Sequence, residues 1–316
     1  MRVCVVGDGL SALTLAKAIV NQNICIDIYA RKKNKGINQT RTIGISKNNS
    51  DFFNNNIINI KKLLWKLNKI EIFTENLKNE KLLNFENKND QLFSIIKNHE
   101  LYEILEKKLS KSKYFKKFIA KKDSLSFINN YDLIINCDYA HAITKKYFSK
   151  KIIKKYDSLA YTTIITHKKI ANNSATQIFT KLGPLAFLPI SNNETSVVYS
   201  IQYPFNKKKP NIEELIHYYN SKYEINKINK VENFELQSLN LRSYYYKNIL
   251  AFGDLLHKIH PLAGQGYNMT IRDIMVITKI IKKRFELGLP LDNSVSEEFE
   301  NNLKHKNYIF SNGIDL

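Results

Sequence analysis

The chain has 316 residues, enough to bury a sizeable core as one large domain or two interleaved ones. Its formal net charge of +20 rests on 43 lysines and six arginines, so the side chain best suited to bidentate base and phosphate recognition is scarce and a nucleic-acid partner is not expected. Cys4, Cys25 and Cys137 lie too far apart to frame a disulfide scaffold or a metal site, and lysines and asparagines break every apolar run before the roughly 18 residues of a membrane-spanning helix.

No secretory signal is read at the N-terminus, so the expected setting is a reducing cytoplasm. The lysine-rich surface would favour peripheral contact with the inner, anionic face of a membrane.

Residues 2 to 30 read as strand, turn, helix and strand: an apolar run from Arg2 to Val6, the turn Gly7-Asp8-Gly9, helical spacing from Leu10 to Asn21, and alternation from Ile24 to Tyr29. Helices are expected around Ile60 to Leu67 and His99 to Leu109, and a buried strand at Tyr131 to Cys137. From Leu159 to about Tyr203 the pattern changes to short β-rich segments with polar turns, which predicts an antiparallel sheet. Residues 211 to 222 read as helix and Asn248 to Phe252 as strand, followed by a long helix starting near Gly266.

Five of the ten glycines fall in two short motifs, and glycine is used where backbone turns sharply or approaches a ligand. In the first, Gly7-Asp8-Gly9-Leu10-Ser11-Ala12, the glycines lead into a helix whose N-terminal N–H groups and dipole suit a pyrophosphate. Candidate cofactor contacts here are Gly7, Gly9, Leu10 and Ser11. The second runs from Gly253-Asp254 through His257, His260, Pro261, Leu262, Ala263, Gly264, Gln265, Gly266, Tyr267 and Asn268 to Arg272-Asp273. A strand-end Gly-Asp followed by a Gly-Gln-Gly helix start is hard to explain by packing alone. His257 and His260 read as ordinary loop histidines, and neither is taken as a general base.

The second motif resembles the corresponding segment of ubiquinone-biosynthesis hydroxylases, within the class A flavoprotein monooxygenases of para-hydroxybenzoate hydroxylase fold. The stretch Gly183-Pro184-Leu185-Ala186-Phe187-Leu188-Pro189 is similar to a strand of the same group, and the order of the three motifs extends the likeness over most of the chain. The resemblance implies an α/β protein: a discontinuous Rossmann-like FAD-binding domain (1–150 and 246–290), an inserted antiparallel β-sheet substrate domain (151–245) and a shortened C-terminal helical segment (291–316).

It further implies that Asp254 holds the ribityl chain and that Pro261, Gly264, Gln265 and Gly266 line the flavin edge, with Tyr267 and Asn268 beside them. Arg41 would reach toward the cofactor, while Gly183, Pro184, Ala186 and Leu188 would roof the substrate. No residue is assigned as an acid or base, because the flavin carries the hard chemistry. The implied reaction uses NAD(P)H and O2 to hydroxylate a hydrophobic polyprenyl phenol, alongside other ubiquinone-biosynthesis proteins.

Two positions depart from the group. The second strand ends in Tyr29-Ala30-Arg31, where an acidic residue usually binds the adenosine ribose, and the Asp-Gly motif associated with FAD and the nicotinamide nucleotide reads Asp138-Tyr139, with Ala142 for a serine. Together with the short C-terminus these leave a second reading open, an FAD-binding accessory protein with impaired catalysis. A plain NAD-dependent dehydrogenase leaves the Gly253 to Asn268 segment unexplained.

Overall fold

The computed structural model describes residues 2–31, 39–75, 81–87, 90–120, 125–202, 210–259 and 265–314. Pro261 and Gly264 lie outside these residues, as does His260.

The N-terminal strand Arg2–Val6 is apolar because it is central: Val3, Cys4 and Val5 have no exposed surface. It pairs in parallel with Cys25–Arg31 on one side and Leu133–Asn136 on the other, and the sheet continues outward to Phe115–Ala120 and to Ile249–Ala251. A parallel strand buried on both faces reads as a continuous apolar run, which is why these segments lack alternation. The helix Leu10–Val20 packs against the helices Asn98–Leu109 and Gln265–Glu286, and the long helix Asn293–Ile314 packs against the latter. Leu13, Leu15, Ile271, Ile274 and Phe299 join one core with the parallel sheet.

A second, larger sheet is built around the bent 17-residue strand Lys151–His167, which pairs antiparallel with Glu194–Gln202 and with Glu232–Leu241. Gly183–Pro189 and Ser174–Thr180 extend it. This sheet is not wholly antiparallel: Ser174–Thr180 runs parallel to Lys69–Thr74, which continues into Lys81–Glu86. One face of it is closed by the helix Ile212–Tyr219 over Tyr161, Leu185, Phe187, Val197 and Tyr199. Thr42–Ser46, Phe93–Lys97 and Trp65–Leu67 form a separate three-stranded sheet, interleaved in sequence with Lys69–Thr74 and Lys81–Glu86 of the large one.

The helix expected around Ile60 to Leu67 is not there. Helical backbone occupies Lys47–Ile57 instead, residues 61–63 turn, and Trp65–Leu67 forms a strand with Phe93–Ile95. The Trp65 indole donates to the Asn172 carbonyl at 2.6 Å, so a tertiary contact with the large sheet overrides local spacing.

Candidate functional site

The first glycine motif sits at the carboxyl end of the central strand. Gly7 adopts φ +102°, its N–H donates to the Tyr29 carbonyl at 2.8 Å, and a Cβ there would lie 3.3 Å from the Asp138 Cβ. The next helix starts after Gly9 with no side-chain cap and no acidic residue in its first turn. A Cβ on Gly9 would meet nothing within 4 Å. An uncapped helix start facing open space is what a pyrophosphate requires, so this end of the site fits the phosphate part of a dinucleotide. Asp8, between the glycines, turns away to pair with Lys117 at 3.3 Å. Burial, then the charge of Asp8, pushes the neighbouring Tyr102 hydroxyl up to about 12.

Gly253 brings the second motif onto the first. It has φ +65°, and a Cβ on it would fall 2.9 Å from the Ser11 Cβ, so only glycine allows the backbone this close to the first helix. Tyr267 repeats the junction one turn on, its buried hydroxyl 2.6 Å from the Thr14 hydroxyl. Asp254 is exposed and its carboxylate makes no hydrogen bond or ion pair among the described residues. Burial raises the Cys137 thiol far above its ordinary value, with the carboxylates of Asp254 and Asp138 adding to the effect. That thiol is a packed group rather than a nucleophile.

The helix Gln265–Glu286 opens at Gln265 and Gly266, both partly exposed. Among the described residues, a Cβ on Gly266 would touch only the Ile259 Cγ1, at 3.9 Å. Asn268, by contrast, is buried, and its side chain clamps the Thr42–Ser46 strand. Its Oδ1 accepts from the Ser46 N–H at 3.0 Å and from Asn49 at 2.7 Å, while its Nδ2 donates to the Gly44 carbonyl at 2.9 Å.

Arg41 lies exposed just before the Thr42–Ser46 strand, its guanidinium 4.2 Å from the centre of the Phe234 ring of the large sheet. On either side of it, Thr40 meets Thr162 at 3.2 Å and Thr42 donates to Ser196 at 2.8 Å. These contacts orient the large sheet. In the Gly183–Pro189 strand, Leu185 and Phe187 point to the helix-covered core, so Ala186 and Leu188 lie on the opposite face. Ala186 is paired with Val198 and Leu188 with Ser196, so this is the face that meets Thr42. Gly183 holds φ +134° at the start of the strand, where a Cβ would collide with the Ser200 carbonyl oxygen at 2.2 Å. Pro184 is half-buried beside it.

Sequence reasoning missed an ion pair beside the first glycine turn. Arg31, at the end of the second strand, donates from Nε at 2.7 Å and from Nη2 at 2.6 Å to the two oxygens of Asp138. Tyr139 is exposed, with Lys151 over its ring at 4.1 Å, and the buried His141 caps the helix Ala142–Tyr147 by accepting from the Ile143 N–H at 3.2 Å. The signal for Arg31 was faint: one of six arginines, at the end of the second strand.

No family model matches the sequence. It is 23% identical over 227 residues to ubiquinone biosynthesis monooxygenase COQ6 of Danio rerio, a match covering 58% of this chain and 47% of that protein. It is 27% identical over 151 residues to 3-demethoxyubiquinol 3-hydroxylase of Escherichia coli, covering 46% and 39%. The chain is thus similar in sequence to ubiquinone-biosynthesis hydroxylases. These matches span less than half the length of either curated relative. Among solved structures, PqsL of Pseudomonas aeruginosa, a probable FAD-dependent monooxygenase, superposes with a TM-score of 0.76 at 13% identity, covering 98% of this chain and 93% of that one. HpxO of Klebsiella pneumoniae, solved with FAD and uric acid, gives 0.76 at 13% identity, covering 98% and 86%. The chain therefore has the fold of these flavoprotein monooxygenases across almost its whole length.

Proposed function

We propose that the protein is an FAD-dependent monooxygenase that hydroxylates the ring of a hydrophobic prenylated phenol in quinone biosynthesis, with NAD(P)H and O2 as co-substrates. The observation that carries this reading is the apposition of Gly253 against Ser11. It joins an open helix start suited to a pyrophosphate with an exposed carboxylate, Asp254, suited to a polyol chain.

The proposed division of labour is drawn along the chain, although Lys69–Thr74 and Lys81–Glu86 join the large sheet. Residues 1–150 and 246–290 bind the cofactor, 151–245 cover the substrate, and 291–316 form a helical brace. Gly7, Gly9, Leu10 and Ser11 would cradle the pyrophosphate through backbone N–H groups, which cost no reorganisation when charge arrives. Asp254 would accept from the ribityl hydroxyls through charge-assisted bonds. Gln265 and Gly266, at a helix start, would present positive backbone dipoles to the flavin, with Pro261 and Gly264 just before them in the chain. Arg41, Tyr267 and Asn268 would shape the site, Asn268 by holding the Thr42–Ser46 strand in place. Pro184, Ala186 and Leu188 would present an apolar roof that excludes water from the phenol. When bound, FAD supplies the redox chemistry that activates O2.

One observation favours the reading as an accessory flavoprotein: Asp138 is already engaged by Arg31, and Tyr139 and Lys151 cover the segment tied to nicotinamide use in relatives. A single turnover decides between the two. Chemically reduced protein, mixed with a prenylated phenol and oxygen, is expected to yield product heavier by one oxygen atom. Hydrogen peroxide alone, from protein whose released flavin is FAD, would establish the accessory role. Colourless protein that FAD does not stabilise would remove both.

A further inference from the structure

The start of the Lys151–His167 strand, the end of the Glu232–Leu241 strand and the Asn293–Ile314 helix form an outer face that the site above does not use. A cavity of about 640 Å³ opens in it. Ile152, Tyr244 and Tyr308 give it an apolar wall, and Arg242, Lys304 and His305 line it with basic side chains. Among the described residues its single acidic lining residue, Glu300, is engaged within the fold, accepting from the Tyr244 N–H at 3.1 Å and pairing with Lys304.

Two independent features mark this face. The helix places Lys304, His305 and Tyr308 at one-turn spacing toward the cavity while Phe299, Leu303 and Asn307 face the core. Among the described residues, 151–155 pair with 237–241, and pairing to the Glu194–Gln202 strand begins at Ser158. Exposed Lys150, Lys154 and Lys155 lie along this outer stretch of the sheet. Edge lysines commonly guard against strand pairing, which accounts for the charge alone. It does not account for the large apolar side chains among them: Ile152 is 47% exposed, Ile153 41%, Tyr308 50% and Ile309 57%. A phosphodiester backbone would satisfy the cations and leave the isoleucines in water. A bilayer surface satisfies both, with phosphates at the lysine heads and aliphatic side chains below them.

We infer that this face binds an anionic phospholipid membrane, with Arg242, Lys304 and His305 on headgroup phosphates and Ile152, Tyr308 and Ile309 inserted at the acyl boundary. The inference deepens the proposed function, since a prenylated phenol resides in the bilayer, and it rests on that reading for its purpose only. Each Lys or Arg near an anionic surface strengthens binding roughly fivefold.

The test is co-sedimentation of the full chain, loaded with FAD, with phosphatidylcholine vesicles with and without phosphatidylglycerol. Binding is expected only with the anionic lipid and is expected to weaken with salt. The pair Arg242→Glu and Lys304→Glu should lower it more than about tenfold. Ile152→Ser with Ile309→Ser should lower it several-fold at unchanged charge. Lys107→Glu with Lys108→Glu, on the Asn98–Leu109 helix, should leave it within about twofold of the parent. Equal loss in that control pair would overturn the inference, as non-specific attraction to a basic protein. So would an unchanged serine pair, or binding of glycerol phosphate at this face with no vesicle binding. Flavin content is read in every variant, so failure here is distinct from failure of the proposed function.

Discussion

Arg31 and Asp138, 107 residues apart in sequence, close a bidentate ion pair across the end of the central strand. Because Cys25–Arg31 and Leu133–Asn136 flank Arg2–Val6, the pair crosses directly over the turn at Gly7. A carboxylate beside a pyrophosphate site is repulsive unless neutralised, and Arg31 provides that neutralisation. Arg31→Ala should therefore weaken FAD binding by about 1 kcal/mol, roughly fivefold, the scale of one partly screened charge. Asp138→Asn should bind FAD at least as tightly as the parent. Flavin fluorescence titration at low and high salt checks both, and equal weakening in the two variants would show that the pair acts only as a brace.

Two glycines separate ligand effects from folding effects. Among the described residues, chain neighbours aside, neither Gly9 nor Gly266 has an atom closer than 3.9 Å to where a Cβ would stand, and Gly9 already has an ordinary φ of −70°. Gly9→Val and Gly266→Val should thus leave the melting temperature of the flavin-free protein within a few degrees of the parent. Both should abolish or severely weaken FAD uptake, because the branched side chain enters the space assigned to the cofactor. Full flavin loading in either variant would remove that glycine from the site.

Gly183 is the opposite case. Its φ of +134° and the Ser200 oxygen 2.2 Å from an added Cβ combine backbone strain with a collision against backbone. Gly183→Ala should cost about 3 kcal/mol. Gly288→Ala, at φ +67° with nothing within 4 Å, should cost about 1 kcal/mol. Urea unfolding of the two variants gives the comparison, and similar midpoints would refute it.

What the sequence made legible follows the same physics. The strand, turn and helix through Ala12 could be read because glycine, apolar run and helical spacing coincide within a dozen residues. The Gly253 to Asn268 segment was legible as a motif, yet its contacts were not: the side chain of Asn268 serves the Thr42–Ser46 strand, a partner more than 200 residues away. The strands between 65 and 97 escaped notice for a different reason. All six residues of Lys81–Glu86 are exposed and Trp65–Leu67 is three residues long, so neither presents a period to detect. The role of Arg31 depends on Asp138, and no local pattern encodes a pair so distant.

The last expectation concerns His257, which the sequence offered only as a loop histidine. It is buried and paired through Nε2 with the equally buried Asp273, whose other oxygen accepts from Asn307 at 3.2 Å. Burial alone would lower the imidazole pKa, but the charge and hydrogen bond of Asp273 outweigh it and the pKa is raised. A group whose pKa rises on folding gives stability that is fully present below its unfolded value, about 6.5, and is lost as pH climbs through the folded value. The protein should accordingly become less stable as pH rises above about 6.5, and the double variant His257→Gln, Asp273→Asn should lack that slope. Asp273→Asn alone should be the more damaging change, by about 3 kcal/mol, because it strands one half of a buried pair. Denaturant unfolding at several pH values between 6 and 9 measures all three proteins. A parent whose stability held level or rose across that window would mean that His257 is neutral in the folded state, and that its contact with Asp273 is an ordinary hydrogen bond.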